Sequence, residues 1–193
     1  MTFRLYDCVV TDMKLRKGSY NGRGLRVGIV AAKFNKFVTN KLLSSCVAEL
    51  TKQKVKAEDI EVVRVPGAFE IPLVAKTMAQ SGRFHAVICL GAVIRGDTPH
   101  FDYISAEVSR GIGQAALDAD VPIIFGVLTT HTMEQAIERA EPGKFNRGGE
   151  AAKSAIEMAR VMEGIKGGKA ANDRLTGHKL TSENRKSRAR EKR

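Results

Sequence analysis

The chain has 193 residues, 43% of them apolar, which suits one domain with a buried core, and no apolar run approaches the roughly 20 residues of a membrane helix. A net charge of +11 invites a nucleic-acid reading. However, residues 164–193 hold ten Lys/Arg against three Asp/Glu (+7) and residues 1–26 hold six against two (+4), so 27–163 is neutral and presents no basic binding face. Three cysteines, Cys8, Cys46 and Cys89, with no CxxC, support neither a zinc site nor a disulfide framework. Cys46 and Cys89 sit in apolar stretches and read as core residues of a reducing compartment. The first twenty residues mix charge throughout and lack a signal-peptide apolar region, so a cytoplasmic location is expected.

In chain order, residues 26–32 (RVGIVAA) are apolar and β-branched and predict a buried strand. Residues 39–53 place Leu42, Leu43, Cys46, Val47 and Leu50 at helical spacing. Residues 60–65 alternate charge with β-branched side chains and predict a second strand. After Pro66-Gly67, residues 71–80 predict a helix that tolerates Pro72 in its first turn. Residues 86–91 (AVICLG) predict a third strand, 92–105 a polar Gly-rich stretch, 106–119 a helix and 122–128 (PIIFGVL) a fourth strand. Thr132 with Gln135 forms a capping box for a helix reaching 140, and a short loop over 141–146 leads to a last helix over 147–162.

This alternation predicts an α/β fold, a three-layer α/β/α sandwich around a central four-stranded parallel sheet. Right-handed crossovers then bring Lys33-Phe34-Asn35, residues 66–70, 92–100 and 129–132 to one edge of the sheet, where ligands of such sheets bind. Residues 26–163 form the expected domain. Residues 1–25 are an N-terminal extension in which 6–10 are a candidate edge strand for a neighbouring chain. Residues 164–193 are a basic tail too poor in apolar side chains to offset ordering entropy, and disorder is expected there.

Each polar motif has a plain reading beside a functional one. In Gly91–His100 (GAVIRGDTPH) the glycines would let backbone N–H groups approach an anion, or the segment is an ordinary surface loop. It is not a P-loop, and no GxGxxG follows a strand. His100 can move protons near neutrality, though a lone His is more often a surface residue. Glu70 at a helix start is either a terminal charge or an acceptor for polyol hydroxyls. Phe34 either caps the sheet or stacks on a heterocycle, and Phe125 reads as core. Arg139 suits a helix C-terminus by itself, whereas Arg147 at a helix start opposes the dipole and points to a bound anion. No histidine pair has metal-ligand spacing.

Together these segments resemble one family, the 6,7-dimethyl-8-ribityllumazine synthases. The resemblance rests on VGIVAAKFN (27–35), VPGAFEIP (65–72), LGAVIRGDTPHFDYI (90–104), PIIFGVLTT (122–130), EQAIERA (134–140) and NRGGEAA (146–152), in the family's order and spacing. It implies a transferase of riboflavin biosynthesis with no metal or organic cofactor. Such enzymes condense 5-amino-6-(D-ribitylamino)uracil with 3,4-dihydroxy-2-butanone 4-phosphate. They form homopentamers with the active site between adjacent subunits, and some close into shells of twelve pentamers. The short 141–146 loop leaves such a 60-subunit shell open to this chain.

Position by position, the resemblance implies that Phe34 stacks on the pyrimidine, and that Ala68, Phe69 and Glu70 line the site, with Glu70 holding the ribityl chain. Ala92, Val93 and Ile94 would supply backbone contacts, Asp97 and Thr98 the phosphate loop, and His100 the proton transfer. Phe125 and Arg139 would face the neighbour's site, with Arg139 binding phosphate. Many members carry Lys where this chain has Arg147; charge is kept, so altered affinity is expected rather than lost activity. Two other functions compete: a non-catalytic flavin- or lumazine-binding relative, disfavoured by the intact Phe34, His100 and Arg139, and nucleic-acid binding, expected only as an accessory of the basic tail.

Overall fold

The computed structural model describes residues 15–143 and 145–167. Four strands, β1 (Val27–Ala32), β2 (Ile60–Val65), β3 (Ala86–Ile94) and β4 (Ile123–Thr130), form one sheet in the order β2-β1-β3-β4, parallel at every pairing. Between and after them run α1 (Lys36–Lys52), α2 (Ile71–Gln80), α3 (His100–Ala119), α4 (Met133–Ala140) and α5, which covers 147–167. The expected three-layer sandwich is the fold.

The two central strands show why both faces are covered. Along β3, Ala86, Ile88, Leu90 and Ala92 join a core with α1, α4 and α5, while Val87, Cys89 and Val93 join a core with α2 and α3. β1 alternates likewise, Val27, Ile29 and Ala31 against Val30 and Ala32. Period-two alternation with apolar residues on both sides is the pattern of a strand buried on both faces. The crossover through α1 runs from β1 outward to β2, and the one through α2 runs back past β1 to β3. Keeping both right-handed puts the two helices on opposite faces and leaves a crevice at the carboxyl ends of β1 and β3, where the winding direction reverses.

Several boundaries differ from expectation, each for a physical reason. β3 continues to Ile94, because Ala92, Val93 and Ile94 pair with Leu128, Thr129 and Thr130 of β4. Gly91 therefore lies inside a strand: a Cβ there would sit 3.2 Å from Ile71 Cδ1 and 3.5 Å from Val127 Cγ1, so it serves close packing rather than anion approach. α3 begins at His100, six residues before its expected start. Phe101, Ile104, Val108, Ile112, Ala115 and Ala119 continue one apolar stripe, and Pro99 presets the entry. α1 starts at Lys36 because Asn35 takes up the left-handed conformation (φ 51°, ψ 42°).

The Thr132 cap is present, with Gln135 N–H donating to Thr132 Oγ1 at 3.2 Å, while the Gln135 side chain accepts from His131 N–H instead of closing the box on Thr132. Lys17–Ala159 forms one compact unit. Within it Leu25 is buried and Gly22 N–H donates to Gln53 O at 2.7 Å, so these residues of the expected extension pack on the core. In the second unit, Arg160 pairs with Glu163 at 2.6 Å and Arg16 donates to the Gly164 carbonyl. The helix thus runs past the expected boundary at 163, while the candidate edge strand over 6–10 and tail residues 168–193 lie outside the described residues.

Candidate active site

A cleft of about 610 Å³ opens at the carboxyl ends of β1, β2 and β3. Its β1 side is built by backbone bonds that carry the chain past the strand: Lys33 N–H donates to Val65 O at 2.7 Å and Phe34 N–H to Pro66 O at 3.0 Å. Asn35 then turns the chain, and its Nδ2 donates to Ala92 O at 2.8 Å. β1 pairs with β3 only as far as Leu90, so this side-chain bond continues the ladder across the crevice. With its backbone fixed in this way, Phe34 stands out of the fold at 71% exposure, which rules out the sheet-capping reading.

The turn between β2 and α2 supplies the next wall. Glu70 Oε2 accepts from Gly67 N–H at 2.8 Å, and Ile71 N–H donates to Ala68 O at 3.2 Å. This leaves Ala68 buried and Phe69 projecting at 58% exposure. Glu70 is thus partly committed to its own turn, with its second oxygen not engaged by that bond. The β3 end contributes Ala92, Val93 and Ile94, and the following loop and first turns of α3 contribute Gly96, Thr98, His100, Phe101 and Ile104. Asp97 is exposed on the same loop and is not one of the lining residues. The lining contains one carboxylate and one imidazole but no Lys or Arg.

The remaining expected residues sit elsewhere. Phe125, Arg139 and Arg147 line a second cleft of about 380 Å³ along β4, α4 and α5, which shares no residue with the first. Phe125, read as core from its strand, is 43% exposed: β4 is an edge strand whose other side carries no strand partner among the described residues. Arg139 Nη1 donates to Gln135 O at 3.0 Å, and its guanidinium lies 5.2 Å from the Phe145 ring centre. Arg147 lies 5.9 Å from that ring and donates to Glu150 Oε2 at 2.6 Å. The Glu150 carboxylate, one helical turn on, offsets part of the cost of a cation at the helix start.

Asn35 was expected at the sheet edge but without a role, and Phe145 was not expected at a site at all. The signal for Asn35 was present, since Asn is the residue that best tolerates the left-handed region outside glycine. Phe145 sat in a segment read only as a spacer, and nothing local announced that two arginines would flank it.

Neither described cysteine is a nucleophile. Burial pushes the Cys46 thiol up to about 12 and raises that of Cys89 further, so neither carries appreciable thiolate near neutrality. Among the described residues, no group of three or more His, Cys, Asp or Glu is placed to hold a metal ion, and no helix is long and apolar enough to cross a membrane. A family model described as 6,7-dimethyl-8-ribityllumazine synthase matches residues 24–163, which takes in both clefts, and the chain belongs to that family.

Proposed function

We propose that the protein condenses 5-amino-6-(D-ribitylamino)uracil with 3,4-dihydroxy-2-butanone 4-phosphate to 6,7-dimethyl-8-ribityllumazine, phosphate and two waters, the penultimate step of riboflavin biosynthesis. The observation that carries this reading is the first cleft. It gathers Phe34, Ala68, Phe69, Glu70, Ala92, Val93, Ile94, Thr98 and His100, nine residues from three separate segments of the chain. An exposed ring lines the same cleft as the end of β3, where pairing with β1 has stopped, which suits a planar pyrimidine stacked on Phe34 and read by Ala92, Val93 and Ile94. Glu70 receives the ribityl hydroxyls. Thr98, with Asp97 on the same loop, borders the phosphate.

The first cleft has no guanidinium or ammonium, yet one substrate carries a phosphate dianion. The second cleft has Arg139 and Arg147 beside an exposed Phe125. We therefore assign the complete site to two copies of the chain, one giving the first cleft and its neighbour the second, as in a homopentamer. We assign the reaction to residues 26–163, in the cytoplasm, where buried reduced thiols are stable.

The steps are attack of the 5-amino group on the ketone, imine formation, loss of phosphate, tautomerisation and ring closure. Each moves a proton, and we assign that relay to His100, the first residue of α3, which lines the cleft. Holding two substrates in register supplies the larger share of the acceleration. Purified protein mixed with both substrates, without added metal, tests the proposal through lumazine absorbance and phosphate release. Product above the uncatalysed rate, reduced in Arg139→Ala, supports it. Tight lumazine or flavin binding with no acceleration would instead favour a binding protein.

A further inference from the structure

The loop between β3 and α3 and the first turn of α3 bring Gly96, Thr98 and His100 to the first cleft, and one side-chain pair joins the two ends of this segment. Arg95 Nη2 donates to Asp102 Oδ1 at 2.6 Å and Nη1 to Oδ2 at 3.3 Å, a two-pronged contact. Neither residue lines the cleft. Both are anchored by backbone: Arg95 N–H makes the bond to Thr130 O at 2.9 Å that extends the β3–β4 ladder, and Asp102 N–H donates to Pro99 O at 3.0 Å in the first turn of α3. The Arg95 guanidinium also lies 4.3 Å from the centre of the Phe101 ring, which lines the cleft and stacks on His131 at 6.4 Å and 25°.

We propose that Arg95 and Asp102 are positioning residues that clamp the loop 96–101, so that Thr98 and His100 hold their places against the substrates; this rests on the reaction proposed above. The loop needs such a device. A Cβ at Gly96 would meet nothing within 4 Å, so packing does not fix that end of it. Residues two apart on a helix do not face each other, and the Asp102 carboxylate is taken up by Arg95, so Asp102 acts on His100 through the loop. A solvent-exposed ion pair adds little to global stability. A bidentate, ring-stacked pair spanning six residues instead restricts where that short segment can go.

The test uses Arg95→Ala, Asp102→Ala, the double variant and Arg95→Lys in the full chain. It reads kcat and KM for each substrate and amide hydrogen exchange over 96–101 in the absence of substrates. Each alanine variant should lower kcat/KM for the sugar phosphate about tenfold, since small misplacements of reacting groups are costly. KM for the pyrimidine should stay within about twofold, and the double variant should be no worse than either single one. Lysine, which keeps the charge but not the fork, should recover only part of the loss. Exchange should quicken over 96–101 and not elsewhere. Unchanged exchange there, or losses that multiply in the double variant, would overturn the clamp. A wild-type protein without turnover would count against the reaction, and the exchange measurement would then decide the clamp by itself.

Discussion

Replacing Asn35 perturbs the crevice where β1 and β3 part. Asn35 does two separable things: it occupies the left-handed region at φ 51°, and its Nδ2 bonds Ala92 O at 2.8 Å across from β1 to β3. Asn35→Ala loses both. Holding alanine in that region costs about 1–2 kcal/mol, and the lost bond about 0.5–1.5 kcal/mol, so a total of roughly 1.5–3.5 kcal/mol is expected. Asn35→Gly removes the conformational cost and loses only the bond, so about 1 kcal/mol is expected, plus a small unfolded-state entropy term. Urea unfolding at one fixed protomer concentration measures both, because assembly makes apparent stability concentration-dependent. The pyrimidine KM should rise in both variants, since Ala92 backbone and Phe34 both depend on this turn. An Asn35→Ala variant within about 0.5 kcal/mol of wild type, or a glycine variant less stable than the alanine one, would refute both roles of Asn35.

Arg139→Ala should raise KM for the sugar phosphate about 10- to 100-fold, the worth of one charge-assisted contact, with the pyrimidine KM little changed in steady-state assays. His100→Ala should slow turnover by about 100-fold or less without abolishing it; a thousandfold loss at unchanged KM would mean that proton transfer, not positioning, dominates. Gly148→Ala should destabilise by about 1–3 kcal/mol despite better helix propensity, because the new Cβ would collide with the Leu42 carbonyl and lie 3.0–3.1 Å from two further backbone atoms; denaturant titration reads the sign. The raised thiols make the folded protein hold protons that the unfolded chain releases, so stability should fall as pH climbs from the ordinary thiol value of 9.0 towards about 12, and Cys46 should resist alkylation at pH 8 until denaturant is added.

Much of the fold was written locally. β-branched apolar runs such as 26–32 and 86–91 specify buried strands, helical spacing along α1 specifies its inward face, and their alternation is enough to choose a parallel sandwich with its loops at one edge. The six motifs added the family and a set of site residues. What local sequence left open depends on partners far along the chain. The extent of β3 was settled by its pairing with β4, and Gly91 proved to be a packing residue because Ile71 and Val127 approach it. Phe125 and Phe34 both follow or sit in apolar strands, yet both are exposed, one because β4 is an edge and the other because Asn35 turns the chain beneath it. The division of the expected residues between two clefts, the clamp of Arg95 on Asp102 and the flanking of Phe145 by two arginines are likewise tertiary facts. Periodicity tells a side chain which face of its own element it occupies, whereas what lies opposite that face is fixed only when the strand order brings distant segments together.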